Sequence, residues 1–366
     1  MSTPITAEHI VVGAGINGLL AAYYLHQQGC EVIVLDRQEV GQEASWAGGG
    51  ILSPLFPWRY PQAVTDLVQW SQAHYPALCE ELTRISGIDP EWTLSGMIVV
   101  EPMTALIKAW GIDTQTVLQV VNNTALQELE PQISRKYESA IWMPEVAQVR
   151  NPRLVKSLKQ ALLSLGVNIK DHTEVIDILR NGDQVCGVRT NQGDIMGSKV
   201  LITCGAWSAE MIASMGVAID VEPVRGQMLL IEAEPDWLRH IILADDHYLI
   251  PRRDGKILVG STLEYVGFNK NTTQNARDLL TRVAENIAPC LTRFKIIKHW
   301  AGLRPGSKSN IPTISEHPRI QGLFVNAGHF RNGVVMAPAS AKLLVDLVTS
   351  KPTGVNPMFY RMNNPY

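Results

Sequence analysis

His9-Ile10-Val11-Val12-Gly13-Ala14-Gly15-Ile16-Asn17-Gly18 is the stretch whose reading decides the fold. An apolar strand runs straight into three glycines at the spacing G-x-G-x-x-G. A helix, Leu19–Gln28, follows and stops at Gly29. The next apolar run, Glu31-Val32-Ile33-Val34-Leu35, ends on Asp36, 23 residues after Gly13. Strand, glycine turn, helix, second strand and terminal acid together make the dinucleotide-binding βαβ unit. Gly13 serves the tight turn. Gly15 presents no side chain to an approaching pyrophosphate. Gly18 allows the helix to pack closely on the strand. The helix N-terminus offers free N–H groups and a positive dipole to phosphates, and Asp36 offers a carboxylate to ribose hydroxyls. The bland alternative is a βα turn that is merely tight.

Composition sets the frame for this unit. The chain has 366 residues, enough for two domains or one large interleaved domain. At 46% hydrophobic and 18% charged residues it can bury a sizeable core. A net charge of −3 argues against a nucleic-acid surface. No apolar run is long enough to span a bilayer, and residues 1–8 lack the basic start and apolar stretch of a signal peptide. A cytoplasmic protein without membrane partners is expected. Cys30, Cys79, Cys186, Cys204 and Cys290 are scattered and odd in number, which favours free thiols over disulfides. The nine histidines show no metal-ligand spacing, so no metal is expected.

The fingerprint alone does not choose between NAD and FAD. An NAD domain usually completes its sheet directly after the first unit, but here the pattern breaks. Arg37–Ala47 is polar, and Gly48-Gly49-Gly50 leads into Ile51-Leu52-Ser53-Pro54. The sheet pattern resumes much later. A helix starts at Asn151-Pro152 and runs to about Leu165, Asn168–Ile178 and Gln184–Thr190 are strand-like, and Lys199-Val200-Leu201-Ile202 is a buried strand ending in a glycine turn. A third return comes with the strand Leu323–Gly328, a glycine-containing turn over 329–334 and an amphipathic helix Ala337–Val348. A sheet built from three separated segments fits an extended FAD.

Eight segments carry a family likeness over nearly the whole chain. They are Gly13–Asp36, Ala44–Ile51, Val149–Leu154, Cys204–Ser208, Pro223–Gln227, Tyr248–Arg252, Trp300–Gly306 and Ala327–Gly333. In combination they resemble the D-amino acid oxidase family of FAD-dependent oxidoreductases, most closely its bacterial glycine oxidase branch of thiamine biosynthesis. The likeness implies noncovalent FAD and a homotetramer. The flavin-attaching cysteine segment of monomeric sarcosine oxidases is not evident. The likeness distributes Gly13, Ala14, Gly15, Ile16, Asn17, Gly18, Asp36, Arg37, Ser45, Ala47, Gly48, Gly49, Gly50, Val175, Gly205, Trp207, His329, Arg331, Asn332 and Gly333 along the cofactor. A flexible loop is the alternative for Gly48–Gly50, and a core position the alternative for the Val175 side chain.

Such an enzyme moves hydride from a substrate Cα to flavin N5, and its protein orients the substrate and tunes the ring. A carboxylate handle calls for an arginine fork and a hydroxyl. Arg304, between Leu303 and Pro305 at the end of an apolar strand, is an unusual place for an unpaired cation. The family likeness makes Arg304 the carboxylate clamp and Tyr248 its hydroxyl partner, and sets Arg331 beside the flavin. The competing readings are a structural ion pair for Arg304, a core aromatic for Tyr248 and a surface salt bridge for Arg331. No general base stands out, and His329 is assigned no catalytic step.

The expected architecture is α/β: a Rossmann-like FAD-binding domain (1–85, 145–220, 305–366) interleaved with an α+β substrate domain (86–144, 221–304) carrying a large antiparallel sheet. Its strands include Gly96–Glu101, Gln227–Glu232, Tyr248–Arg252 and Lys256–Ser261, the last pair joined through Asp254-Gly255. Trp70–Leu82, with Pro76 inside, and Ala276–Ile287 read as helices. The function expected is oxidation of glycine, sarcosine and small D-amino acids, with molecular oxygen as acceptor and peroxide as product. The alternatives are a D-amino acid or sarcosine oxidase, a dehydrogenase using another acceptor, or a flavoprotein modifying a partner protein.

Overall fold

The structure, a computed structural model, describes residues 5–362. Its centre is a six-stranded sheet in the order Thr313–Glu316, Leu323–Ala327, Lys199–Ile202, His9–Val12, Val32–Leu35, Asn168–Lys170. All neighbours run parallel except the edge strand Thr313–Glu316. The apolar runs are continuous because both faces are covered. Val11, Val34, Leu201 and Phe324 point into a core shared with the helices Ile16–Gln27, Gln62–Ser86, Asn151–Ser164 and Ala337–Val348. Their neighbours Ile10, Val12, Ile33, Leu35, Val200, Ile202, Leu323 and Val325 point the other way, into a second core. That second core is closed by a four-stranded sheet of Ile5–Thr6, Gly193–Met196, Gln184–Thr190 and Val175–Asn181.

Parallel register aligns the strand ends that matter. Val12 pairs with Leu35 and Ile202, and Ile202 with Val325. The turns after these strands, at Gly13, Asp36, Cys204 and Gly328, therefore share one edge of the sheet. Ligands of open α/β sheets bind at that carboxyl edge.

A second, eight-stranded sheet has the order Lys295–Gly306, Glu222–Glu232, Lys256–Gly260, His247–Pro251, Ile241–Ala244, Met97–Val99, Ser139–Met143, Gln119–Asn122. It is the large antiparallel sheet expected, with one parallel pair where Ile241–Ala244 runs beside Met97–Val99. The amphipathic helix Gln274–Ile287 covers one face through Leu280, Ala284 and Ile287. Thr273 caps it by accepting the Ala276 N–H.

Two elements differ from expectation. The stretch Asn168–Ile178 is two strands, Asn168–Lys170 and Val175–Asn181, one in each α/β-layer sheet. His172 between them takes a φ of +54°, the Thr173 N–H donates to the Asp36 carbonyl, and Asp171 is held by Lys159 and the Val40 N–H. Those contacts turn the chain away from the first sheet. The helix expected over Trp70–Leu82 extends over Gln62–Ser86 and continues through Pro76. No helix among the described residues is long and apolar enough to cross a membrane.

Candidate active site

A cavity of about 510 Å³ opens between the carboxyl edge of the first sheet and one face of the second. The glycine turn builds its floor. Gly13 adopts a φ of +100°, and a Cβ there would meet the Thr203 carbonyl oxygen at 2.7 Å. A Cβ on Gly18 would lie 1.9 Å from the Gly13 carbonyl oxygen, so helix and turn close only on glycine. At Gly15 only Ser45 Oγ would be near, at 3.1 Å, leaving room above the helix start. The Asp36 carboxylate ties the unit together by accepting the N–H groups of Ala14 (2.8 Å) and Gln38 (3.0 Å). Burial raises its pKa against these two bonds.

The sequence-derived candidates converge on this space. Gly13, Gly15, Ile16, Asn17, Asp36, Arg37, Ser45, Ala47, Gly48, Gly49, Gly50, Val175, Gly205, Trp207, Tyr248, Arg304, His329, Arg331, Asn332 and Gly333 all line it. Ala14 and Gly18 do not. Ala14 is fully buried in the helix core, and Gly18 packs behind the turn. Several candidates are also tied to protein. Ser45 Oγ accepts the Ile16 N–H at 2.9 Å. The Arg37 guanidinium stacks 4.0 Å over the Trp207 ring.

The glycine triplet is a packed element. A Cβ on Gly48 would strike Asn151 Nδ2 at 2.7 Å, one on Gly49 Ile250 Cδ1 at 2.9 Å, and one on Gly50 the Val149 carbonyl oxygen at 2.0 Å. Buried Arg252 fastens its back: Nη2 donates to the Gly49 carbonyl (2.7 Å), Nη1 to Gln148 Oε1 (2.6 Å) and to the Val149 carbonyl (3.0 Å). Burial, with the Arg150 charge, lowers the Arg252 pKa to about 10. Trp300 Nε1 donates to the Ala47 carbonyl at 3.1 Å and holds the preceding short helix, Ala44–Ala47, against the second sheet.

Over this floor stands a cationic wall. Arg304 leaves the edge strand and lies across Gly226 of the adjacent one, where a Cβ would come within 2.2 Å of both Nη atoms. Its Nη1 donates to the Thr262 carbonyl at 3.2 Å and its Nη2 to Ser261 Oγ at 2.7 Å. No carboxylate reaches it as an ion pair among the described residues, and none reaches Arg331. Burial lowers the Arg304 pKa; Tyr248 beside it acts to raise it, and the Arg331 charge to lower it. The Tyr248 ring, 6% exposed, sits where Gly260 opposite it has no side chain; a Cβ there would be 2.5 Å from the ring. Its hydroxyl meets the Met228 thioether at 4.0 Å and accepts a hydrogen bond from the Arg304 guanidinium.

Buried polar atoms without partners mark what the cavity accepts. Asn17 Oδ1, both amide atoms of Asn326, His329 Nε2 and Asn332 Nδ2 are buried, line the cavity and have no hydrogen-bond partner among the described residues. Each unsatisfied buried group costs about 1–3 kcal/mol, so a polar ligand fits here. Burial alone pushes the His329 pKa down to about 3, leaving a neutral imidazole. Cys204, the one cysteine lining the space, has its thiol pushed up to about 12 by burial. Sequence reading missed Gly226, Gly260, Ser261, Thr262 and Asn326. Only Asn326, a polar residue inside the apolar run Leu323–Ala327, left a local signal.

The family model described as FAD dependent oxidoreductase matches residues 8–347. Glycine oxidase of Pseudomonas putida is 44% identical over 97% of this chain and 98% of its own length. The bifunctional protein ThiO/ThiG of Synechocystis sp. is 30% identical over 97% of this chain, which spans 53% of that longer protein. The crystal structure of glycine oxidase from Geobacillus kaustophilus superposes with a TM-score of 0.94 at 26% identity, covering 100% of both chains. With its glycine turn, acid and cavity in place, the chain belongs to the D-amino acid oxidase family of FAD-dependent oxidoreductases and is an FAD-dependent enzyme.

Proposed function

We propose that this protein oxidises glycine, and with it sarcosine and small D-amino acids, with one molecular oxygen and one water per turnover, to the 2-oxo acid, ammonia or amine, and hydrogen peroxide. The observation that carries the reading is the wall of Arg304, Tyr248 and Arg331: two cations without acid partners beside a buried phenol, on the wall of the cofactor cavity. Arg304 grips the substrate carboxylate with a planar fork, and the Tyr248 hydroxyl donates to it. Arg331 adds positive charge at the same end. Bound FAD, held noncovalently by the glycine turn, Asp36, the Gly48–Gly50 triplet and the 328–333 turn, supplies the two-electron acceptor. The protein orients Cα and keeps the amine and one side-chain direction free. No side chain is assigned as base, because His329 is neutral and solvent can take the amine proton. The imine formed first is the form that thiamine biosynthesis can use, in line with the ThiO/ThiG relative. A cytoplasmic homotetramer is the proposed assembly.

Peroxide release on addition of glycine, sarcosine, D-alanine, D-proline and L-alanine tests the reading, with anaerobic bleaching of the visible flavin band run in parallel. Glycine and the small D-amino acids should react and L-alanine should not, since its methyl group occupies the direction in which hydride must leave. Rapid bleaching by L-alanine contradicts the stereochemical argument. Bleaching without peroxide in air identifies a dehydrogenase, and no bleaching by any small amine favours a macromolecular substrate.

A further inference from the structure

A buried cation with no acid of its own stands behind the glycine triplet. Tyr248, Ile250 and Arg252 alternate along the strand His247–Pro251 and its exit, so their side chains share one face of the second sheet. The triplet lies against that face. A Cβ on Gly49 would meet Ile250 Cδ1 at 2.9 Å and the Tyr248 ring at 3.3 Å, and Arg252 Nη2 donates to the Gly49 carbonyl at 2.7 Å. Arg252 is 8% exposed and forms no ion pair among the described residues. The acids on this side, Glu91 and Asp254, pair with Arg150, Arg153 and Lys256 instead. On the front of the triplet the donors are free. Gly49 and Gly50 both line the cavity, and neither N–H has an acceptor among the described residues. The peptide between them is trans, which sets its N–H opposite its carbonyl. The carbonyl is fixed on Arg252, which does not line the cavity, so the Gly50 N–H faces the other way, on the side where Gly50 meets the cavity.

We propose that Arg252 is a positioning residue that raises the redox potential of the bound flavin, by fixing the triplet with the Gly50 N–H toward the cofactor and by polarising that peptide. The proposal uses the FAD dependence of the chain. For the placement of the redox ring beside Gly49 it rests on the reading of Tyr248 and Arg304 as the substrate wall. Two-electron reduction adds negative charge to the ring unless a proton follows each electron. A donor held toward that charge before it forms needs no reorganisation when it appears. A cationic donor on the carbonyl of a peptide also strengthens the N–H on its far side, since linked hydrogen bonds polarise one another. Arg252 stays protonated at neutral pH, because burial and the Arg150 charge lower its pKa only to about 10. Its field is not cancelled by a partner acid and, in a buried place, is little screened by salt.

The test compares holoenzymes of the wild type, Arg252→Lys, Arg252→Gln and Arg252→Met. Each is reduced anaerobically with dithionite beside a dye of known potential, and the apoproteins are titrated with FAD to measure affinity. The midpoint potential reports the ratio of affinities for reduced and oxidised FAD, and a tenfold loss in that ratio lowers it by about 30 mV for a two-electron couple. Arg252→Met, with neither charge nor donor, should lose about tenfold or more. Arg252→Lys, which keeps the charge and can reach a carbonyl, should stay within about threefold of wild type. Arg252→Gln, a neutral donor, should fall at least about threefold below the lysine variant. A lysine variant as low as the methionine variant overturns the proposal. So does weaker FAD binding in Arg252→Met at an unchanged potential, which is the pattern of a residue that only keeps the loop in shape. If Arg252→Met retains no flavin, the lysine and glutamine variants decide, and equal potentials in those two overturn the proposal. Loss of flavin from Arg252→Lys also overturns it, because charge and donor are both present there. Failure of glycine to bleach the wild type overturns the substrate reading alone, since the potentials are read with dithionite and decide the role of Arg252 separately.

Discussion

At the scale of single residues, Arg304 and His329 make opposite demands on their surroundings. Arg304 donates to the Thr262 carbonyl and the Ser261 hydroxyl, with Tyr248 beside it and no carboxylate as ion-pair partner among the described residues. Its fork therefore keeps donor capacity for a ligand. Arg304→Ala should raise KM for glycine by at least 30-fold, since loss of a charge-assisted fork costs about 2–5 kcal/mol. Flavin content and Tm should change little, because no ion pair is lost. Arg304→Lys should restore binding only in part, lacking the planar geometry. Normal kinetics in the alanine variant, or loss of flavin with unfolding, rules out the clamp. His329 is held neutral, with its pKa lowered by burial to about 3. Above pH 6.5 the folded and unfolded states bind the same proton number there. Below it the unfolded chain takes up a proton that the folded chain refuses. Stability attributable to His329 is thus intact above pH 6.5 and declines as pH falls toward 3, by about 1.4 kcal/mol per pH unit at most. His329→Gln should flatten Tm against pH between 6 and 4, and an unchanged slope would show that His329 titrates normally.

At the scale of elements, the site depends on strand register that no local pattern discloses. The βαβ unit was legible because each of its parts is local: an apolar run, glycines at fixed spacing, a terminal acid. The helix Ala337–Val348 and the strand Gln184–Thr190 coincide with their expected bounds because their periodicity is strong. The pocket for the Arg304 side chain was not legible. It exists because Gly302 pairs with Gly226 and places that glycine beneath a residue 78 positions later in the chain. Tyr248 likewise owes its space to Gly260 across a strand pair. Gly226→Ala tests this dependence. The added methyl meets only the far end of a flexible side chain, so the strand should survive while the guanidinium is displaced. KM for glycine should rise about tenfold or more, with Tm lowered by no more than a few degrees. A variant with unchanged KM would mean that the fork finds its place without the glycine.

At the scale of the whole molecule, two sheets with separate cores face one another across the cavity. The chain crosses between them repeatedly, which is why the fold is read from three distant segments. Arg304, on the second sheet's edge strand, and Arg331, in the turn Phe330–Asn332 after the first sheet's strand Leu323–Ala327, come together because the carboxyl edge of the first sheet and one face of the second border one space. That meeting leaves Asn17, Asn326, His329 and Asn332 with buried polar atoms unpaired by protein. A ligand that satisfies them binds the folded state alone and stabilises it by mass action. With FAD at a thousandfold excess over its dissociation constant, the gain is about 4 kcal/mol. For a chain of 366 residues, with an unfolding entropy of about 2.1 cal/mol/K per residue, this corresponds to a Tm shift of about 5 °C. Flavin removed by mild chaotrope should leave apoprotein that melts about 5 °C lower. Titrating FAD back should raise Tm by roughly 2 °C per decade of free cofactor, whereas free riboflavin, which lacks the adenine and pyrophosphate, should give a smaller rise. Acid precipitation should release the flavin to the supernatant, since buried Cys204 is a thiol and not a thiolate at neutral pH. Apoprotein that melts with the holoenzyme would show that the unpaired amides are not what the cofactor satisfies, and flavin retained in the pellet would refute noncovalent attachment.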